Sequence, residues 1–559
     1  MSSQATHIAT TTLSAGEFFT TKKNIVCLIV VALLFIAPAL IYGVPANKDL
    51  LNHFRFALPF FDSLSTGHLY PGWLAESNSG YGDPSFRFYP PALYYLLSLA
   101  RAITGNWYVA TLFSLGLLSM VGALGMYFWT RSILSESSAM WAAIIYTLAP
   151  YHVNELYQAF LLAEFAGAAV LPFAFGFVER VCRRGRYRDA AGLAATYTLL
   201  VFTHLPLAVI GSLALGVYGF VRIDRQRWWK SFRLLLMAAA MGLAASAVYW
   251  MRMVAELKWI TINSVDPDNS VDYSHNFLFS TFSADNLNVW WMNILAVITF
   301  LFFMPGLALF VRRARLESRF VQLMPVTFLT LTALFMALPF SRPLWKMLPA
   351  LQQIQFPWRW LAVFSMAGSL LTAATLPLWL RNTLQWRRPL RLIVLGSMLV
   401  SVAFTLAHTV REAEYRSRQQ FESDLQSVRG TASVNYWIPV WASPHPETMK
   451  SEVETSNRSV AVKEWMPEHR SFEVASGNAG EARVRTFYYP HWVASSHGRV
   501  LPTRPDRDGA LLISLPADAA SVNLDFREPR RTRFSVALSA LSCLLIGFLA
   551  LSPFARGRE

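Results

Sequence analysis

Residues 24–55, NIVCLIVVALLFIAPALIYGVPANKDLLNHFR, join a long apolar run to a polar turn that carries Asp49 and His53. A run of that length suits a helix crossing a hydrocarbon core of about 30 Å. Such runs recur, as LFSLGLLSMVGALGMYFW (112–129), LLLMAAAMGLAASAVYW (234–250) and VALSALSCLLIGFLALSPF (536–554). The chain of 559 residues is 54% apolar, with a mean hydropathy of +0.35. It reads as a polytopic α-helical membrane protein.

The formal charge of +15 is not spread like a nucleic-acid footprint. The basic residues gather in short segments between apolar runs: 179–189, 222–233, 312–319 and 381–391. Lys and Arg in such loops mark the cytoplasmic side. Parity then gives twelve spans, at 24–43, 107–130, 138–151, 161–178, 190–204, 206–221, 234–250, 291–311, 321–338, 359–380, 392–409 and 533–552. Both termini fall in the cytoplasm, with 1–23 a polar tail and the first span a retained anchor rather than a cleaved signal. The stretch PPALYYLLSLARAI (90–103) is short, opens with two prolines and contains Arg101, so it is expected to lie along the outer face. Cys27, Cys182 and Cys543 sit in spans or a basic loop, so no disulfide is expected.

Three segments face outward: 44–106, 251–290 and 410–532. In the last, ARVRTFYYPHWV, GALLISLP and ASVNLDFRE alternate with period two between Pro, Gly and Asp. The expected layout is a transmembrane domain at 24–409, a mostly-β outer domain at 410–532, and a final span and tail at 533–559.

The polar residues at the outer boundary carry the candidate chemistry. On a helix beginning near Lys48, Asp49, Asn52 and His53 share one face. Asp49 has the chemistry of a general base; capping the helix is its other reading, and His53 facing water the counterpart. In PYHVNELYQAFLLAEF (150–165), Glu164 lies in an otherwise apolar run, where an ionisable group is either functional or paired between helices. His152 and Glu155 stand at the outer end of that stretch, and His204 reaches the same face from the THLP turn. Arg359, in IQFPWRWL, offers a planar fork to a phosphate, or snorkels toward headgroups. Arg55, Arg87, Arg252, Lys258, Arg342 and Lys346 are further outward cations. The Tyr-, Trp-, Gly- and Pro-rich loop that ends near Tyr89 suits both a membrane interface and the faces of sugars. No Walker loop, dinucleotide fingerprint, HExxH or CxxC is present.

KDLLNHFRFA, GHLYPGWLAESNSGYGDPSFRFYPPALYYLL, APYHVNELYQAFLLAEF and IQFPWRWL resemble a bacterial and archaeal membrane-protein family labelled 6-pyruvoyl-tetrahydropterin synthase-related. That family in turn resembles the GT-C glycosyltransferases, and the segment FYYPHWV…LDFREP is similar to the outer β-domain of YfhO-type proteins. The pterin synthase itself is a soluble zinc enzyme whose metal site has no counterpart here. The GT-C resemblance implies sugar transfer from a polyprenyl-phosphate donor to a glycan, lipid or protein acceptor on the periplasmic face of a bacterial inner membrane. It maps the general base onto Asp49, with Lys48 where many relatives have His, and leaves Asp62, Glu76 and Asp83 as candidate second acids. Substrate binding would fall to His53, Arg55, Tyr89, His152, Glu155, Glu164 and Arg359. No cofactor is expected, because a lone Asp among scattered acids makes no recognisable metal site, and a divalent metal has no support. No nucleic-acid partner is expected. A transporter of lipid-linked glycan would use the same cations and aromatics without breaking a bond, and a glycan-binding scaffold would need neither.

Overall fold

The computed structural model describes residues 15–47, 49–261, 272–281, 287–313, 322–380, 388–429, 437–443 and 446–552. Lys48 and the basic stretches 314–319 and 381–387 lie outside the described residues. A helix stands at every stretch read as a span, from Ala15–Tyr42 to Arg530–Leu551. Among the described residues, eight helices are long and apolar enough to cross a membrane. The total rises to ten if two bent pairs, broken at Ala245 and Ala337, each make one crossing. Glu136–Thr147 and Tyr187–Thr203 are shorter, at 12 and 17 residues. Ala92–Thr104 has 13 residues, about 20 Å at 1.5 Å per residue, which is less than a hydrocarbon core. It stops where Gly105 turns left-handed (φ +68°), and Asn106 caps the next helix through the Val109 N–H.

Leu162–Arg184 is the central helix, packed against Trp107–Thr130, Tyr187–Thr203 and Leu205–Arg222. Its small residues allow this: Gly167, Gly176 and Ala169 sit against neighbouring side chains or backbone. Its first turn lies beside Asp49, whose N–H donates to Ala159 O at 3.3 Å. Its last turn carries Arg183 and Arg184, roughly 30 Å away by helical rise. There Arg188 donates to Ala550 O, near the end of the final helix. The basic segment therefore occupies the opposite end of the bundle from Asp49.

At the Asp49 end the chain builds two antiparallel sheets over a shared core. One runs in the order Arg499–Leu501, Trp492–Ser496, Ala520–Phe526, His469–Val474, Val460–Trp465. The other runs Thr503–Pro505, Ala510–Leu515, Gly480–Phe487, Val453–Thr455. Alternation drives the packing: Val522, Leu524 and Phe526 point in while Ser521 and Asn523 point out. The segment beginning at 410 is not β from its start, since Arg418–Val428 is a helix with a Ser417–Gln420 capping box. Two aromatics of the loop are used in neither of the ways expected from the sequence. Trp73 and Tyr81 are buried in the core of the sheets, with Trp73 among Tyr489, Trp492 and Phe526.

Three ties hold this body to the bundle. Val44–Pro45 pairs with Tyr415–Arg416, and Gly43 (φ +116°) permits it, because a Cβ there would meet Arg416 O at 2.2 Å. Ile260–Thr261 pairs with Ile438–Pro439. The third tie is ionic. Arg87, expected to be an outward cation, is fully buried. Its Nε and Nη2 donate to Glu256, the latter at 2.7 Å, and its Nη1 donates to Glu528 Oε1 at 2.6 Å. Tyr489 and His491 bring the sheets to the same Glu256 carboxylate, at 2.8 and 3.0 Å.

Removing one partner of a buried ion pair strands the other charge, at a cost of about 3–5 kcal/mol. Arg87→Met is therefore expected to lower the thermal midpoint of the detergent-purified protein sharply. Burial pushes the Glu528 carboxyl up, but the hydrogen bonds and charge of Arg87 outweigh it and hold the group down at about 2. An unfolded Glu titrates near ~4.3. The stabilisation from Glu528 is thus complete above that pH and is lost as pH falls toward 2. Glu528→Gln is expected to flatten this acid limb in a melting-temperature series against pH.

Candidate active site

Asp49 begins the Leu50–Ser65 helix, but its side chain caps nothing. Instead Asn52 Nδ2 donates to Asp49 Oδ1 at 3.1 Å, and Arg55 Nη1 donates to Asn52 Oδ1 at 3.0 Å. This is the i, i+3 spacing read from the sequence. Among the described residues the second carboxylate oxygen accepts no hydrogen bond, and the residue as a whole is half-buried. His53, one turn on, is buried and inward-facing. Its Nδ1 lies 3.2 Å from the Tyr94 hydroxyl, and the ring also bonds the Phe160 backbone. Burial pushes the imidazole down from its usual value, with the Asp49 charge opposing. Neutral His53 thus buttresses the helix that carries Asp49. Burial likewise pushes the Tyr89 phenol up, helped by Asp49 and opposed by Arg359. Tyr89 therefore lies within the field of both groups.

The opposite wall comes from a broken helix. Pro150–Tyr157 ends at Gln158, Phe160 takes a left-handed conformation (φ +50°), and Leu162–Arg184 then begins. A bulky residue in that region stores strain, here at the point where the backbone meets both Asp49 and His53. Glu164, in the first turn after the break, accepts from Tyr151 OH at 2.7 Å and from Arg359 Nε at 2.9 Å. Arg359 Nη1 donates to Ile354 O at 2.8 Å, and its guanidinium lies over Phe356. Among the described residues the other Nη takes no partner. His152 and Glu155 pair at 2.7 Å in a buried dyad whose remaining atoms, Nε2 and Oε1, make no hydrogen bond among the described residues.

The structure thus gathers Asp49, His53, Tyr89, Glu155, Glu164 and Arg359 into one polar cluster, with His152 paired to Glu155. His204 joins them, within reach of both Arg359 and His53. Arg55 touches Asp49 only through Asn52. Asp62 and Glu76 are instead paired with Arg429, at 2.7 and 3.2 Å. Asp83 is buried in the turn that pairs with Leu74. Among the described residues no group of three His, Cys, Asp or Glu side chains could hold a metal. Sequence reasoning missed Tyr94, Tyr151 and Trp437, because aromatic residues abound here and only distance separates these from the rest.

A carboxylate with one oxygen oriented and one free can accept a proton. A guanidinium steadied by Glu164 can present its remaining donor to a phosphate oxygen. Residues 86–409, more than half of the chain, match a family described as 6-pyruvoyl-tetrahydropterin synthase related, a membrane protein. The chain belongs to that family. The family match includes Tyr89, His152, Glu155, Glu164 and Arg359 but not Asp49, His53 or the sheets.

Similar solved structures include the arabinofuranosyltransferase AftD from Mycobacteria, 15% identical, covering 70% of this chain and 27% of that one, with a TM-score of 0.42. The Archaeoglobus fulgidus oligosaccharyltransferase tethered with an acceptor peptide is 14% identical, with coverages of 73% and 57% and a TM-score of 0.48. ArnT from Cupriavidus metallidurans bound to undecaprenyl phosphate is 12% identical, with 75% coverage of both chains and a TM-score of 0.43. The chain thus spans about a quarter of AftD's length and little more than half of the oligosaccharyltransferase's. No curated protein matches it.

Glu164→Ala leaves the mostly shielded Arg359, 11% exposed, without its counter-charge and is expected to cost about 3 kcal/mol. Adding Arg359→Met should recover much of that loss. Melting temperatures of the two single variants and the double variant measure the coupling.

Proposed function

We propose that this chain is a membrane glycosyltransferase that moves a sugar from a polyprenyl-phosphate donor to an acceptor at the β-sheet end of the bundle. The observation that carries this reading is that Asp49 and Arg359 both act on Tyr89, each with a polar atom that has no hydrogen-bond partner among the described residues. In the proposed step Asp49 takes the proton of an acceptor hydroxyl as that oxygen attacks the anomeric carbon. The bond from that carbon to the phosphate oxygen breaks, and the prenyl phosphate leaves with its electron pair. Arg359 steadies the charge that grows on the phosphate. Tyr151 and Glu164 fix the angle of its fork, and Asn52 fixes that of Asp49.

No nucleotide is consumed, since the phosphate ester is itself activated. The Arg183–Arg188 end, at the far side of the bundle, is the cytoplasmic side by its charge, which makes the Asp49 end periplasmic or extracellular. The proposed donor class is that of ArnT's bound undecaprenyl phosphate.

A general base supplies about 10²–10⁴ in rate. Asp49→Asn is expected to cut transfer at least a hundredfold while the melting temperature stays unchanged. The assay is release of prenyl phosphate from radiolabelled polyprenyl-phosphate sugars by the purified protein. Wild-type release from no donor in such a panel counts against the enzyme, and full activity of the variant counts against Asp49.

A further inference from the structure

We propose that Trp437, together with Tyr89, is the platform on which the donor's sugar ring stacks, which makes it a specificity-determining residue of the site. The inference rests on the donor class proposed above. Trp437 comes from the segment leading into the sheets, 388 residues after Asp49 in the chain. Its indole nevertheless lies 5.3 Å from the Tyr89 ring, centroid to centroid, and 6.1 Å from Phe56. Tyr89 in turn stacks on Phe56 at 5.5 Å and 22°, and lies in the fields of Asp49 and Arg359. The outer two rings are half-buried, whereas Phe56 and Tyr94 behind them are sealed. Of these four rings, only Tyr89 and Trp437 keep partial exposure, and they meet edge to face at 63°.

The backbone holds the indole there at a cost. Trp437 is left-handed (φ +63°), a strained conformation for so bulky a residue. Full burial in a core does not repay that strain. The next residues, Ile438 and Pro439, are instead zipped to Ile260–Thr261, and the Val440 N–H donates to Trp259 O. Strain maintained by surrounding structure around a half-open ring is expected of a ligand contact rather than of packing.

The chemistry follows from the shapes. A sugar ring presents an apolar C–H face between its polar edges, and a rigid aromatic plane covers that face at little entropic cost. The platform itself supplies no charge, so it suits a neutral pyranose or furanose. The phosphate is left to Arg359 and the attacking hydroxyl to Asp49.

The test uses the full-length protein in lipid nanodiscs and two probes: a polyprenyl phosphate carrying a hexose or pentose, and the same polyprenyl phosphate bare. Wild type is expected to bind the sugar-bearing form more tightly. Trp437→Ala and Trp437→Leu should lose about tenfold for that form and nothing for the bare one, as expected for the loss of one stacked ring. Trp437→Phe should restore most of the preference. Equal weakening for both probes overturns the proposal by making Trp437 a brace for its segment, and an undiminished sugar preference overturns it directly. Wild type that binds neither probe overturns the donor class as well. A fault in the assigned base shows in the turnover of Asp49→Asn, which these binding arms do not read.

Discussion

One guanidinium holds the β-sheet end of this molecule together. Arg87 divides its donors between Glu256, at the end of a bent helix, and Glu528, at the root of the final helix. Its own segment sits between the two. A buried charge of this kind is costly unless every donor is met, so the three pieces of chain are fixed in position and angle, not merely brought near. Tyr489 and His491 extend the same carboxylate to the sheets. Just beyond Glu256 come Trp259 and Ile260–Thr261, which hold the segment carrying Trp437. The position of the Trp437 segment therefore depends on an ion pair outside the polar cluster around Asp49.

Within the polar cluster, Asp49 and Arg359 are each held through part of the side chain. Asn52 occupies one oxygen of Asp49. Glu164 and Ile354 occupy two nitrogens of Arg359. What remains points with little freedom, which is how a site limits the entropy lost on binding. His53 helps by being spent on Tyr94 and Phe160, and so holds still the helix that begins at Asp49.

The sequence showed local relations well and distant ones poorly. Apolar length and basic loops revealed the helices, because membrane insertion is governed by composition over one short window. Period-two alternation marked the strands from 480 to 526 for the same reason. The Asp49–Asn52 contact lay one turn apart and was legible in the spacing. Glu164 stood out as a charge in an apolar run, yet its partner Arg359 is 195 residues away and no pattern joins them. Arg87 and Glu256 are separated by 169 residues, so Arg87 read as one free cation among several. The aromatic loop was ambiguous because Trp, Tyr, Gly and Pro suit a lipid interface, a sugar face and a β-core alike. Only packing showed that Trp73 and Tyr81 belong to the third.

The position of Glu528 also has a meaning in time. It lies 441 residues after Arg87, immediately before the last helix. A ribosome therefore delivers nearly all of the helices, the cluster and both sheets before the second counter-charge exists. Until then Arg87 has at most Glu256, made much earlier. The frame around Arg87 therefore closes only after the segment carrying Glu528 has emerged, later than every other piece that it joins.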